Sequence, residues 1–295
     1  MRAIVTGAGG FVGSALCAAL GSDWRGLRLG TPDWERALGE APLEDATVYH
    51  LAARVHDPRA GDEAMFRHDN AEKTWRLTEA AARRGARRIV FLSTLKVHGE
   101  ESSGRPLRAD DATAPQDAYA RSKLEGEAAL REAASGRIEW VVVRSPLVLG
   151  AGARANVASL MRLVDTPFPL PFAAIANRRS FVHRDDLARL LLACGSRPAA
   201  ANQVFIAAHA DPLSTPALVA ALRVALQRPE RLWPAPPQLL EICAGAIGMG
   251  AAMRRLTRSL EADPTPTHDR LGWRAERGLG TATAEMAHAW REASR

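Results

Sequence analysis

Residues 1–13, MRAIVTGAGGFVG, decide how the rest of the chain is read. Arg2 to Thr6 is a short, largely apolar run rich in β-formers, and it ends directly on Gly7-Ala8-Gly9-Gly10-Phe11-Val12-Gly13. Ser14 to Leu20, SALCAAL, then reads as helix. Strand, glycine turn and helix are the first half of a βαβ unit. Gly7 allows the tight turn, Gly10 lets backbone approach a pyrophosphate, and Gly13 lets helix and strand pack closely. The free N–H groups at the helix start then face the phosphates. The glycine spacing is GxxGxxG rather than GxGxxG.

Working outward, the alternation continues. Gly26-Leu27-Arg28-Leu29 is the only candidate for a second strand before Thr47 to Leu51, TVYHL, a clear strand followed by Ala52-Ala53. Small residues at a strand end let a nucleotide lie against the backbone. Asp62 to Arg84 has the periodicity of one long helix and carries Asn70 near its start. Arg88 to Leu92 is a buried strand ending in Ser93-Thr94, Gln116 to Glu132 a helix carrying Tyr119 and Lys123, and Ile138 to Val143 another strand. This alternation predicts a Rossmann-type α/β fold, a doubly wound parallel sheet that binds ligands outside the carboxyl ends of its strands. Beyond Gly150 the pattern loosens. Asn156–Val164, Asp185–Cys194, Pro216–Gln227 and Thr281–Trp290 read as helices, Phe181-Val182 and Gln203–Ala207 as strands. Residues 1–150 are therefore expected to form a dinucleotide-binding domain. Residues 151–295 should form mostly a smaller substrate-binding lobe, with segments free to return to the sheet.

Composition sets bounds. The 295 residues suffice for one large domain or two intimate ones. The net charge is +6, yet only Lys73, Lys96 and Lys123 are lysine, and the arginines form no basic run. No nucleic-acid partner is expected; an anionic substrate fits the balance. Cys17, Cys194 and Cys243 are odd in number and isolated in apolar text, which predicts reduced, buried thiols, no metal, and a cytoplasmic protein. No leader is expected at the start. The longest apolar candidate, Ile242 to Met253, is shorter than the ~18 residues that span a bilayer.

The sharpest chemical signal is Tyr119-Ala120-Arg121-Ser122-Lys123. Positions i and i+4 share one helix face. An ammonium beside a phenol lowers the phenol from its ordinary value of about 10 and makes it an acid/base near neutrality. Thr94, at a strand end, can hydrogen-bond the same substrate oxygen. Recognition of the adenosine ribose has two candidates: Asp33, which also reads as a helix start, and Arg28, which could face a 2′-phosphate. NAD and NADP both remain open.

Taken together, TGAGGFVG (6–13), HLAA (50–53), Asn70, STLKVHG (93–99), YARSK (119–123), RSPLVLG (144–150) and NRRSFVHRDDLA (177–188) resemble the extended short-chain dehydrogenase/reductase family in its nucleotide-sugar branch, the NAD-dependent epimerases and dehydratases. The resemblance implies a catalytic set of Thr94, Tyr119 and Lys123. It implies a cofactor, NAD or NADP, cradled by Gly7, Gly10, Phe11, Val12 and Gly13. Leu51, Ala52 and Ala53 would line the adenosine side, with Asn70 and Ser93 nearby, and Tyr119 and Lys123 would meet the nicotinamide ribose. A nucleoside-diphosphate sugar, UDP-linked, is the implied partner. Asn156 and Val157 would meet its base and Arg179 its diphosphate, with a second arginine among Arg254, Arg255 and Arg258. Arg179 could alternatively be a surface ion-pair partner of Asp185 or Asp186. Leu271-Gly272-Trp273 matches a closing core motif, and His98 reads as a packing residue.

The 4,6-dehydratases of the family place Asp-Glu directly after the catalytic threonine; Leu95-Lys96 stands here, which argues against water elimination. The text is most similar to UDP-hexose 4-epimerases and 4-keto-6-deoxy-sugar reductases of polysaccharide biosynthesis. Hydride transfer at C4 of a UDP-sugar is the expected reaction. A non-catalytic NAD(P)-binding regulator is the competing class, and a homodimer is left open.

Overall fold

The computed structural model describes residues 2–55, 63–102, 104–153 and 156–293; the side chain of Asn156 lies outside the described set. In chain order the elements are β1 (Ala3–Thr6), α1 (Phe11–Leu20), β2 (Trp24–Leu27), α2 (Trp34–Glu40) and β3 (Thr47–His50). Then come α3 (Glu63–Arg67), a π turn (His68–Glu72), α4 (Lys73–Arg83), β4 (Arg88–Thr94) and α5 (Ala118–Ala134). β5 (Glu139–Ser145), β6 (Leu147–Leu149), α6 (Asn156–Val164), β7 (Phe181–His183), α7 (Arg184–Ser196) and β8 (Gln203–Ile206) follow. The chain closes with α8 (Thr215–Ala225), α9 (Pro237–Ala246), α10 (Gly250–Thr257), α11 (Thr265–Leu271) and α12 (Leu279–Ala293).

Six strands form a wholly parallel sheet in the order β2-β1-β3-β4-β5-β8. Alternate residues of each central strand feed opposite cores. Ala3, Val5, Val90, Val141 and Val143 pack with Leu16, Leu190 and Leu191 of α1 and α7. Ile4, Val48, Ile89, Phe91 and Val142 pack with Trp34, Leu77 and Leu130 of α2, α4 and α5. A sheet covered on both faces requires apolar residues at consecutive positions, which is why these strands read as continuous runs. Strand order reverses between β1 and β3, and the carboxyl ends at such a reversal are where ligands bind in this architecture.

A third apolar cluster joins Leu149, Val157, Met161, Phe181, Val219, Leu222 and Met286, all beyond the β5 strand. Leu271 and Trp273 are buried against the main sheet, as the closing motif suggested.

Several boundaries differ from the sequence reading. The second strand is Trp24–Leu27, two residues earlier than Gly26–Leu29, because it pairs Ala3 with Trp24 and Thr6 with Leu27 at the sheet's edge. The single long helix is instead α3, a π turn and α4; its expected first residue, Asp62, lies outside the described residues. At the π turn the Lys73 N–H reaches the His68 carbonyl, five residues back. Helices α9, α10 and α11 were not anticipated, since Pro236-Pro237 and Gly248 break their periodicity. Cys17 and Cys194 are buried, but Cys243 is exposed on α9, so the expectation of three buried thiols holds for two. Among the described residues no helix is long and apolar enough to cross a membrane.

Candidate active site

The glycine loop leaves β1 and packs on the segment leaving β3. Gly7 has φ +71°, and a Cβ there would come within 2.7 Å of the Ala52 nitrogen. A Cβ on Gly13 would lie 2.0 Å from the Gly7 carbonyl oxygen, so α1 starts closer to β1 than any side chain permits. The Gly10 N–H donates to the Gly7 carbonyl at 2.9 Å, and the first helical bond runs from Ser14 N to Gly10 O. Among the described residues no side chain caps α1, which leaves the N–H groups of Phe11, Val12 and Gly13 available to an anion. These features fit the pyrophosphate of a dinucleotide. The Phe11 ring lies under the Arg184 guanidinium, 5.4 Å from its centroid.

Of the two ribose candidates, Asp33 is at the start of α2 and paired with Arg36 at 2.8 Å. Arg28 is exposed one residue past the carboxyl end of β2.

A buried hydrogen-bonded column stands beside this loop. Thr6 Oγ1 accepts from Ala52 N at 3.1 Å and lies 2.7 Å from His50 Nδ1. His50 Nε2 lies 2.9 Å from Thr74 Oγ1, which itself donates to the Asn70 carbonyl. The chain of donors leaves one consistent arrangement, a neutral His50 that donates from Nε2 and accepts at Nδ1. Burial, with the Lys123 charge, pushes His50 down to about 3. Sequence reasoning passed over His50; the available signal was an imidazole ending an otherwise apolar strand.

Asn70 requires a correction. Its Oδ1 accepts from Arg54 N at 2.8 Å, and its Nδ2 donates to Arg54 O at 3.0 Å and to Ser122 Oγ at 2.9 Å. Both amide hydrogens are used within the protein, so Asn70 offers no side-chain donor to a cofactor. It clips the segment after β3 to α5. Helix α5 lies so close to the π turn that a Cβ on Gly126 would sit 2.5 Å from the Asn70 carbonyl.

Asp117 caps α5 by accepting from Ala120 N at 2.7 Å, which fixes where Tyr119 and Lys123 begin their shared face. Tyr119 is partly buried; Lys123 is fully buried, with Nζ 3.7 Å from the centroid of the Phe91 ring. Thr94 ends β4 and its hydroxyl accepts from Lys96 N. The electrostatics differ from expectation. Burial, aided by the Asp117 charge, raises the Tyr119 phenol above its ordinary value, and burial lowers Lys123 to about 7 against the pull of Glu127. Desolvation of both groups outweighs the expected lowering of the phenol by the ammonium.

Ser93 is also reassigned. Its hydroxyl donates to Glu127 Oε1 at 2.6 Å, so its hydrogen is committed to α5 rather than to the cleft. Glu127 is gripped by the Arg144 guanidinium at 3.0 and 2.7 Å. Burial opposes the Glu127 charge, yet Arg144 and Ser93 hold its carboxyl below the ordinary range. Arg144 also donates to His98 Nε2 at 2.8 Å, which makes His98 a buried packing partner, as read from sequence.

On the substrate side, Val157 is buried within the third apolar cluster and lines a cavity of about 200 Å³ with Gly150, Met161 and Trp290, so its side chain serves apolar packing. The Asn156 side chain lies outside the described residues. Arg179 pairs with neither Asp185 nor Asp186. Those carboxylates are held by Arg184 and Arg277, and by Arg189. Arg179 instead donates to the Arg258 carbonyl at 2.9 Å. Burial lowers it to about 10, opposed by Glu100 and reinforced by Arg255.

Nearby, a cavity of about 280 Å³ is lined by Glu100, Glu101, Asp117, Arg254, Arg255 and Arg258. Arg255 lies 3.7 Å from both Glu100 and Asp117, whereas Arg258 is held by Glu241 at 2.8 Å. Arg255 is thus the arginine of its group that leans toward the start of α5. Lys96, two residues past Thr94, pairs with Asp117 and, at 2.7 Å, with Glu100. Burial opposes the Asp117 charge, but the Lys96 and Ala120 hydrogen bonds hold that carboxyl below its ordinary range. These acids were missed in the sequence because nothing in their spacing marks them.

Comparison with known proteins adds a family. The profile of the NAD dependent epimerase/dehydratase family matches residues 3–207. A UDP-glucose 4-epimerase of Vibrio cholerae is 36% identical over 262 residues, spanning 86% of this chain and 80% of that one. A dTDP-4-dehydrorhamnose reductase of Mycobacterium tuberculosis is 37% identical over 153 residues, spanning 48% of this chain and 50% of that one. The crystal structure of a UDP-glucuronic acid 4-epimerase from Bacillus cereus in complex with NAD superposes with a TM-score of 0.78 at 20% identity, covering 100% of both chains, and so shares the fold. With a glycine cradle at the sheet's reversal point and a YxxxK helix beside it, the chain belongs to the NAD dependent epimerase/dehydratase family and is an NAD(P)-dependent sugar epimerase or reductase.

Proposed function

We propose that the chain acts by hydride transfer at C4 of a UDP-sugar, as a UDP-hexose 4-epimerase. The observation that carries the reading is the combination of three features: Tyr119 and Lys123 one turn apart on α5, Thr94 at the end of β4, and a charged cavity, lined by Arg254, Arg255 and Arg258 with Glu100, Glu101 and Asp117, at the start of the same helix. The similarity to a UDP-glucose 4-epimerase supports it.

A bound nicotinamide dinucleotide supplies the hydride acceptor and donor. Gly7, Gly10, Phe11, Val12 and Gly13 would hold its pyrophosphate, with Leu51, Ala52 and Ala53 against the adenosine. Tyr119 moves the C4-hydroxyl proton. Thr94 hydrogen-bonds the same oxygen, and Lys123 holds the ribose. Arg179 and Arg255 take the diphosphate, where a guanidinium's fork geometry suits paired oxygens. Lys96 stands where an elimination would need an acid, so the site keeps to C4.

A second reading, a 4-keto-6-deoxy-sugar reductase, is favoured by one observation. The similarity of about half of the chain to a dTDP-4-dehydrorhamnose reductase supports it, and the same Tyr119 would donate its proton to the keto oxygen. Incubation with UDP-glucose, UDP-N-acetylglucosamine and a UDP-4-keto-6-deoxy sugar, each with NAD(H) and NADP(H), tests both. C4 inversion without net cofactor turnover is expected for the epimerase. Stoichiometric oxidation of added NAD(P)H with the keto sugar would replace it by the reductase, and inertness toward all three would refute both.

A further inference from the structure

We propose that the α9–α10 hairpin is a membrane-surface anchor that seats the chain on an anionic phospholipid bilayer. Helix α9 turns two faces to different surroundings. Leu240 and Ala244 pack on the protein, Leu240 against the third apolar cluster. Leu239, Ile242, Cys243 and Ala246, spaced i, i+3, i+4 and i+7, all lie exposed. These four share one stripe. Ile247 and Met249, in the turn to α10, extend it. Leu239 is 52%, Ile242 70%, Ile247 73% and Met249 55% exposed, the densest grouping of large exposed apolar side chains among the described residues.

The charges around this stripe choose its occupant. From Pro236 to Met253 the one charged residue is Glu241, and its carboxylate turns away to Thr257 and Arg258. Arginines flank the stripe: Arg228, held by Asp165, and Arg231, with Glu230 between them, before it, and Arg254, Arg255 and Arg258 after it, of which Arg255 leans on Glu100 and Asp117 and Arg258 is held by Glu241. Arg231 and Arg254 are exposed, Arg231 next to Glu230 in sequence and Arg254 close enough to Glu241 to help hold that carboxyl below its ordinary range. Trp233, 49% exposed, stands four residues ahead of α9. Its backbone N–H is bonded to Leu170, two residues from the exposed Phe168.

An apolar ridge with an inward acid, cations at both ends and a tryptophan beside it is the pattern of a helix lying in the headgroup region, its apolar side toward the acyl chains. A second copy fits less well, because a two-fold contact sets the same patch against itself and would bring its exposed arginines, Arg231 and Arg254, toward their own copies. Helix α9 has 10 residues, too few to span. The anchor therefore lies on the surface. Helix α10 also supplies Arg254 and Arg255, and the residue after it Arg258, to the cavity wall, so docking would seat that cavity beside the lipid headgroups.

Sedimentation with vesicles tests the proposal, using phosphatidylcholine alone or mixed with phosphatidylglycerol. The full chain should pellet with the mixed vesicles, weakly with the neutral ones, and less as salt rises. Ile242→Glu with Ile247→Glu should reduce binding at least about tenfold, and Arg231→Glu several-fold. Both should leave the melting temperature within a few degrees, since the altered side chains are exposed. Absence of binding to the mixed vesicles would overturn the proposal, as would unchanged binding by the double variant. A concentration-dependent dimer in light scattering that the double variant abolishes would assign the ridge to a second copy instead.

Discussion

Lys123 Nζ lies 3.7 Å from the centroid of the Phe91 ring, facing an aromatic surface rather than a carboxylate. The acid one turn further along α5, Glu127, is already gripped by Arg144 and Ser93. An ammonium in this setting is poorly solvated and gives up its proton readily.

That relationship sets a pH dependence of stability. Lys123 has an ordinary value of 10.5 and falls to about 7 in the folded chain. Between those values the unfolded chain keeps a proton that the folded one releases, so stability rises with pH across this window and is lost as pH falls toward 7. Lys123→Met removes the titration. The melting temperature of the variant, relative to the native chain, should be highest near pH 7 and decline toward pH 10. A constant difference would show that Lys123 is not shifted.

Tyr119→Phe keeps the ring and removes the proton carrier. Folding and cofactor binding should survive while turnover falls at least ~10²-fold. Thr94→Ala should do less, since it deletes one hydrogen bond. Lys123→Met should weaken both turnover and cofactor affinity. Steady-state rates with a UDP-hexose and a UDP-4-keto sugar, measured across pH, decide the matter; native turnover in Tyr119→Phe would turn the reading toward a cofactor-binding regulator.

Arg179→Ala should weaken UDP binding by about 2–3 kcal/mol, because one charge-assisted contact to the diphosphate is lost. Calorimetric titration of UDP with the cofactor present should return a Kd roughly 30- to 150-fold higher. Equal affinities in both proteins would remove Arg179 from the diphosphate.

Gly10→Val should abolish cofactor binding. A Cβ at this position would already stand 3.0 Å from the Gly7 carbonyl, and the two further methyls reach into the space before the free N–H groups of α1. Fluorescence titration with NADH and NADPH reads the loss directly, and retained affinity would move the dinucleotide away from this loop.

The sheet was legible because its central strands are buried on both faces and leave apolar runs, as in Ile89–Leu92 and Trp140–Val143. The edge strand β2 buries only Leu27 and was misplaced by two residues. The catalytic helix was legible from Tyr119 and Lys123, whose roles depend on a local spacing. What escaped depends on tertiary neighbours. Asn70 looked available until Arg54 and Ser122 took its amide, and Ser93 until Glu127 took its hydroxyl. Lys96, Glu100 and Asp117 come from two separated stretches, and no periodicity links them. The π turn was invisible because an added residue within a helix leaves the flanking text helical.

The contact between Gly126 and the Asn70 carbonyl makes the reactive end of α5 a lever whose fulcrum lies outside the cleft. One methyl group at residue 126 would tilt the whole rod and carry Tyr119 and Lys123 off target. A genetic screen for dead alleles would therefore return position 126 beside the reactive residues, and its product would look chemically crippled with every reactive group intact.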